Sequence, residues 1–541
     1  MTAEPTGSSS STPPPVRSGP FAPLARPDFR LLWIAALASN IGDWMENVGS
    51  AWLMTELTRS STLVGLVQTS ESLPYVLFAL PAGALADIVD RRRLLLVTQV
   101  AATLLLGALA LLTAINGMNP ALLLVFTFAI GFLAAAAGPT WQAIVPGLVP
   151  RDELRSAVGL NSAAVNVARA IGPAVAGLLI TIVGVAAVFA GNGLAFLIVV
   201  ILVASWRAPR RPAVAAPERL AGATRAGIRY ARESLELRAV LVRTALFAVP
   251  ASAIWTLLPL VARNRFGADG GLAYGILLGL IGAGAIVGIL LMPRMRASLS
   301  IDQLIAGGSI TMAAILAILG TIPFTPVLFA AAFIGGVGWL AVVTNVNAAA
   351  QFRLPDWVRA RGLAAFQMAF QGSLALGGVI WGIAGDASGV PLAMTAAGAL
   401  LVIGVPVARR WPLASSEALD LDPATLWPEP DVDPATDLDE GPVRVQVTYH
   451  VDPANADAFI AAAGRLGRIR RRDGASRWLL AEDVGEPGRF VESFTVESWA
   501  EHLRQHRRST EADRVIEDRV LDFQVPDEPV GVEHLIVRET S

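Results

Sequence analysis

Twenty-two consecutive residues without a charge, Leu94–Ile115, follow directly on three arginines, Arg91, Arg92 and Arg93. Nine more, Leu73–Pro81, come shortly before them. An apolar run of about 18 or more residues is long enough, as a helix, to cross the hydrocarbon core of a bilayer. Inside that core every backbone N–H and C=O must be satisfied within the chain, which leaves helices as the form such a run takes. The pattern recurs: 54% of the 541 residues are hydrophobic and only 16% charged. Twelve segments of this kind are expected, at 31–57, 62–86, 94–115, 120–144, 157–182, 184–205, 244–262, 271–293, 303–323, 326–350, 362–385 and 390–408. The predicted class is an all-α polytopic membrane protein with twelve transmembrane helices in two six-helix repeats. A small soluble α+β domain, ferredoxin-like in its βαββαβ order, is expected to follow.

Arginine sets the expected orientation. The loops on the side of the N-terminus hold Arg17, Arg26 and Arg30, then Arg91 to Arg93, Arg151 and Arg155, and nine arginines between Arg207 and Arg243. Arg294, Arg296, Arg353, Arg359, Arg361, Arg409 and Arg410 continue the series, while the opposite loops hold only Arg59, Arg263 and Arg265. Positive loops stay on the cytoplasmic side, so both termini are expected in the cytoplasm of a multi-pass protein of the cell membrane. Residues 1–28 read as a disordered tail with no signal peptide, because the first apolar segment is too long for an h-region. The halves 29–205 and 244–410 are joined by a basic loop, 206–243. They echo each other weakly, with "TLVGLV" and "LAYGIL" about 210 residues apart. Such an echo is the mark of a parallel repeat. There is no cysteine, which excludes disulfides and thiolate metal sites. A net charge of −2 gives no argument for a nucleic-acid partner.

Four ionisable residues fall well inside apolar segments: Asp43, Glu46, Glu71 and Arg169. A charge there costs about 2.5–3.5 kcal/mol on insertion scales and is a functional candidate by default. Asp43 and Arg169 each lie about 18 Å from the cytoplasmic start of their segments, at ~1.5 Å per residue, and Arg169 is expected to pair with Asp43 or Glu46 at mid-membrane. Asn40, Asp43, Glu46, Asn47 and Ser50 fall on one helical face, and Asn161 and Asn166 extend a polar side on the fifth segment. With one Arg against three carboxylates, at least one acid is expected to carry a proton. In the second half, Trp255, Trp339, Asn345, Asn347, Gln367 and Gln371 are the expected cavity residues, since aromatics with amides suit a bulky, partly polar solute. An interfacial belt is the other reading of the two tryptophans.

"GALADIVDRRRLLL" resembles the signature loop between helices 2 and 3 of the major facilitator superfamily, with Gly83, Ala86, Asp87, Arg91 and Arg92 matching. Asp90 stands where many members have Gly. "NSAAVNVARAIGPAVAGLL", with Gly172 and Pro173, resembles the helix 5 motif of the exporter branch. With "PTWQAIVPGLVPRDEL" these are similar to the enterobactin-exporter-like group, the transmembrane secretion effectors. The resemblance implies a conformational latch at the first loop, where Asp87 is placed to meet the helix start near Arg359 and Arg361. Arg91 and Arg92 are placed to meet helix-end carbonyls. A topogenic charge cluster is the plainer reading of the loop, and a packing notch that of Gly172-Pro173. An Arg that proton-coupled exporters often carry in helix 4 is missing here.

Trp411 to Pro442 carries nine acids and no base, and reads as a solvated linker, 411–442. Residues 443–541 read as strand, helix, hairpin, helix, strand, like the dimeric α+β-barrel domains that include monooxygenases. No catalytic set stands out, so a regulatory or dimerising module is expected. His502 and His506 are spaced i, i+4, as metal pairs can be, but no carboxylate ligand is evident and an exposed helix face is the simpler reading. No metal and no cofactor are expected. The reading as a whole is a proton-coupled secondary exporter of a small amphipathic molecule, siderophore- or drug-like. Alternatives are a membrane-anchored enzyme with a monooxygenase-like tail, or an importer of the same superfamily.

Overall fold

The structure is a computed structural model. It describes residues 19, 21–88, 90–144, 148–150, 152–206, 220–355, 357–413, 420–424, 437–526 and 528–538. The side chains at 79–89 lie outside the described residues, and the expected latch contact of Asp87, with Gly83 beside it, lies outside them too.

Six helices form the first half: α1 (Pro27–Leu57), α2 (Ser61–Ile88), α3 (Arg91–Ala114), α4 (Pro120–Ile144), α5 (Leu154–Ile182) and α6 (Val185–Ser205). Their ends are chemically marked. Pro27 and Pro120 stand in the first turns of α1 and α4, where a missing N–H costs nothing. The Asp90 carboxylate caps α3 by accepting from Arg93 N at 2.9 Å. Arg92, whose Nε donates to Val203 O at 3.3 Å and whose Nη2 donates to Ala204 O, satisfies the last carbonyls of α6. The folded chain starts earlier than expected: a 3-10 turn covers Ala22–Ala25, and Arg26 pairs with Glu153 at 2.9 Å.

The second half begins with a correction. The basic loop contains a helix, α7 (Leu220–Glu233), and Ser234 then caps α8 (Leu235–Ala251) at once. The expected seventh segment, 244–262, is two helices, α8 and α9 (Ala253–Phe266), with Pro250 and Pro259 inside them. A proline removes one rung of the ladder, and the helix breaks at Ser252. Then follow α10 (Gly270–Ser298), α11 (Ile301–Thr321), α12 (Thr325–Phe352), α13 (Arg359–Ser388) and α14 (Val390–Ala408). Among the described residues, nine helical stretches are long and apolar enough to cross a membrane, the α8–α10 stretch counted as one. Outward faces are apolar, as lipid requires: Val97, Leu104 and Leu111 recur every seventh residue on α3 and are all exposed. The two halves turn alike. Gly184 before α6 and Gly389 before α14 have φ of +102° and +84°, a region that L side chains avoid.

The halves pack α2 along α13 and α5 along α10. Glycines bring the backbones together: a Cβ on Gly275 would stand 2.6 Å from Gly177 Cα and 2.7 Å from Pro173 O. Close approach of small residues is what packs helices in lipid, where no hydrophobic drive exists between them.

The C-terminal part is a four-stranded antiparallel sheet, order β2-β3-β1-β4, of β1 (Val443–His450), β2 (Ser476–Glu482), β3 (Arg489–Val496) and β4 (Gly531–Ile536). Val443, Val445, Val447 and Tyr449 alternate inward along β1 and pack with Phe459 and Leu466 of α15 (Ala456–Asp473). The expected single second helix is two, α16 (Trp499–Arg508) and α17 (Glu511–Leu521). Thr510 and Asp513 form a capping box at the break. The linker departs from the expected solvated form where it is described. Pro423 bridges Thr510, Ala512 N donates to Asp420 O at 2.9 Å, and Leu413 N donates to Asp302 Oδ1 at 3.2 Å.

Candidate functional site

The polar stripe of α1 exists because Asn40, Asp43, Asn47 and Ser50 recur at helical spacing on one face. Its acids are held differently. Glu46 is buried and accepts from Ser50 Oγ at 2.6 Å. Glu71, reaching over from α2, accepts from Asn47 Nδ2 at 2.5 Å. Asp43 has no hydrogen-bond or ion-pair partner among the described residues; it is exposed and lines a cavity. That cavity, about 330 Å³, is lined by all six helices of the first half, α2 through Tyr75 alone. It runs from Phe29 to Asp43, about 21 Å along α1 at ~1.5 Å per residue. Asn40, Tyr75, Gln99 and Asn161 supply its polar wall, and Gln99 Oε1 is buried with no partner.

Arg169 does not form the expected ion pair. Its guanidinium lies over the Trp44 ring, 5.4 Å from the centroid, and its Nε is buried without a hydrogen-bond partner. A cation over an indole face is attracted by the ring quadrupole, worth about 2 kcal/mol when desolvated. Trp44 in turn begins an aromatic seam across the two halves. Its ring is 6.0 Å from Trp255, which is 5.2 Å from Trp339, which is 6.3 Å from Phe370. Trp255 and Trp339 therefore sit at the junction of the halves, not in an interfacial belt.

None of the six second-half candidates lines the cavity between α1 and α6. Asn345 is buried, accepting from Arg296 Nε at 3.1 Å and donating to Ala341 O at 2.7 Å, so it fastens α10 to α12. Asn347 accepts from Gln351 at 2.6 Å. Gln367 is exposed and Gln371 half-buried on α13. Asn166 turns back on its own helix, donating to Ser162 O at 2.7 Å. Gly172 is held against α1: a Cβ there would stand 2.7 Å from Trp44 Cβ and 3.0 Å from Ile41 O. Gly172 and Pro173 thus form the groove into which α1 and α10 both pack. Of the latch residues, Arg91 opens α3, Arg92 binds the end of α6, and Arg359 opens α13. Arg361 packs its stem against Gly227 of α7.

At the end of the bundle away from both termini, Asp386 of α13 caps α2. Its carboxylate accepts from Ser60 Oγ at 2.7 Å, Ser61 N at 2.6 Å and Thr62 N at 3.0 Å. A carboxylate on a helix N-terminus satisfies orphan N–H groups and suits the dipole. This one also ties the two halves together. Asp386→Asn is expected to weaken that tie by about 1 kcal/mol, read as a faster reaction of a thiol placed at Ser61→Cys with a membrane-impermeant reagent. Unchanged labelling would mean that the contact does not hold the halves.

A family model described as transmembrane secretion effector matches residues 18–541. The chain belongs to that family, within the major facilitator superfamily. Among relatives of this family member, the staphyloferrin A transporter of Staphylococcus aureus (strain NCTC 8325 / PS 47) is 25% identical over 261 residues, 47% of this chain and 64% of that one. Macrolide efflux protein A of Streptococcus pyogenes is 24% identical over 270 residues, 47% of this chain and 66% of that one. The chain thus spans just under two thirds of the length of these relatives. The fold resembles a point mutant of the nucleoside transporter NupG, with TM-score 0.61 and 12% identity over 71% of this chain and 99% of that one. It also resembles a bacterial homologue of the human lysosomal transporter Spinster, inward-facing and occupied, with TM-score 0.58 and 15% identity over 73% and 98% of the two chains. The family and these relatives are transporters, not enzymes. Like its family, the chain is a multi-pass membrane protein.

Sequence reasoning missed Trp44, Tyr75, Gln99 and Asp386, which are uncharged or terminal and carry no motif. It also missed how the tail sits. Arg229 of α7 reaches Glu501 at 3.5 Å and donates to Arg472 O at 3.4 Å. Arg471 pairs with Glu233 at 3.3 Å, and the Arg508 guanidinium stacks on Trp357 at 4.8 Å.

Proposed function

We propose that this family member is a proton-coupled secondary exporter of a small amphipathic molecule, siderophore- or drug-like, working by alternating access. The observation that carries the reading is Asp43, an unpartnered carboxylate in a cavity that ends midway along a membrane helix. A group so placed takes up and releases a proton without breaking an ion pair. Trp33 and Trp141 of the cavity wall offer flat apolar surface to a solute. The names of the relatives, a staphyloferrin A transporter and a macrolide efflux protein, support solutes of this kind. Counting α8 with α9 as one kinked span gives twelve. The arginine bias favours cytoplasmic termini, so that the cavity opens on the cytoplasmic side while Asp386 and Gly275 close the other.

In this reading the domains are 29–205 and 244–410 for the two halves and 443–541 for the tail, with strand order in favour of a ferredoxin-like fold. Residues 1–28, 206–243 and 411–442 serve as tail, joint and linker. Deleting 443–541 is expected to leave an inserted protein with altered regulation. Arg508→Ala is expected to remove about 2 kcal/mol of docking and to raise protease sensitivity of the linker. Equal cleavage of mutant and wild type would argue against docking. The central test is efflux from vesicles of opposite pH gradients, with siderophores and macrolides as trial solutes. Movement of none of them, or movement indifferent to the gradient, would sink the proposal.

A further inference from the structure

We infer that the tail carries a three-histidine binding site for a borderline divalent transition metal, with Zn2+ as its type, formed by His502, His506 and His534. Two of these ligands come from one helix. His502 and His506 lie a turn apart on α16, which puts both imidazoles on one face, with their Nε2 atoms 3.1 Å apart. The third comes from the sheet edge. His534 of β4 pairs with Val445, so it shares the sheet face on which Val445 is buried and which α16 covers. One ligand atom from each of the three lies within 4.8 Å of the others. A tetrahedral ion with bonds of about 2.0–2.1 Å sets its ligand atoms about 3.3 Å apart, inside that range.

The chemistry of the donors fits. Neutral imidazole suits Zn2+, Cu2+ and Ni2+. His502 is buried, and burial disfavours the charged form of an imidazole. Trp499 backs the cluster, its ring centroid 5.3 Å from His502 and 5.5 Å from His534. His506 and His534 are half-buried, which leaves the fourth position to water or an added ligand. The positive charge of Arg470 beyond His502 is offset by Glu517 at 2.7 Å and Glu492 at 3.6 Å. His502 Nδ1 has no partner of its own, so His506 and His534 supply the better-placed test positions. The site would join β4 to α16, the helix whose other residues, Glu501 and Arg508, meet the transporter at Arg229 and Trp357.

The test uses the full chain in detergent, without a polyhistidine tag and stripped by chelator, titrated with Zn2+ by calorimetry and with Co2+ by absorbance. One ion per chain is expected, with tetrahedral Co2+ bands and a rise in unfolding midpoint on adding Zn2+. His506→Gln and His534→Gln should each weaken binding at least about tenfold without lowering the midpoint of the metal-free protein. His450→Gln, at a histidine paired with Glu528 at 3.0 Å, should bind as wild type. A wild type that binds Zn2+ no better than either Gln variant would overturn the site and leave a packed cluster of neutral imidazoles. So would Co2+ bands that survive in both Gln variants.

Discussion

Asp43→Asn is expected to cut proton-driven transport by about tenfold or more, equivalent to about 1.4 kcal/mol in the barrier, while the protein inserts and folds normally. The three membrane acids differ in what they would lose. Glu46 and Glu71 keep partners, Ser50 and Asn47, that an amide can still bond. Asp43 has none among the described residues and faces the cavity. Removing its charge strands nothing, so stability should hold, whereas truncating one member of a buried pair costs several kcal/mol. The rate of the mutant should also lose its dependence on pH, measured in vesicles across a pH series. A wild-type pH profile in Asp43→Asn would make the carboxylate structural and put the coupling group elsewhere. Arg169 belongs to a separate test. It stacks on Trp44 instead of pairing, so Arg169→Lys, which keeps the charge and loses the planar face, should behave like Arg169→Ala.

Gly275→Val is expected to abolish transport by a different route. A Cβ at 275 has Gly177 Cα at 2.6 Å and Pro173 O at 2.7 Å, and neither is a flexible side chain that could swing away. Overpacking of this sort typically costs about 1–3 kcal/mol. Here the cost falls on one conformer only, the one in which α5 and α10 cross closely. A ligand or mutation shifts a two-state equilibrium by its difference in free energy between the states, and about 3 kcal/mol would move it more than a hundredfold. The chain has no cysteine, so Ile180→Cys, beside Gly271 at the same crossing, reads opening without background. Faster labelling in the Gly275→Val background is expected; labelling as slow as in the parent, or surviving transport, would mean that this crossing does not gate.

The helices of the membrane part were legible because lipid leaves a chain few choices. Runs such as Leu94–Ile115 must be helical, and Pro120 and Gly184 mark ends by local chemistry alone. The break at Ser252 was not legible. Prolines are tolerated in membrane helices, and only packing decides whether the helix bends or parts. The split of α16 from α17 was visible in principle, since Thr510 and Asp513 make a capping box and no apolar residue falls between Leu503 and Ala512.

What the sequence determined by itself was the polar stripe of α1 and the depth of Arg169 in α5, because helical spacing and the cost of a buried charge act within a single segment. Tertiary structure decided the partners. Glu71 goes to Asn47, Arg169 to Trp44, Asp386 to the start of α2, and His534 to a pair of histidines 28 residues away on another element. Depth along a helix can be counted from sequence, but rotation of one helix about its axis against another cannot. That rotation follows from which small residues let two backbones touch, and it alone settles whether an arginine meets a carboxylate or an indole.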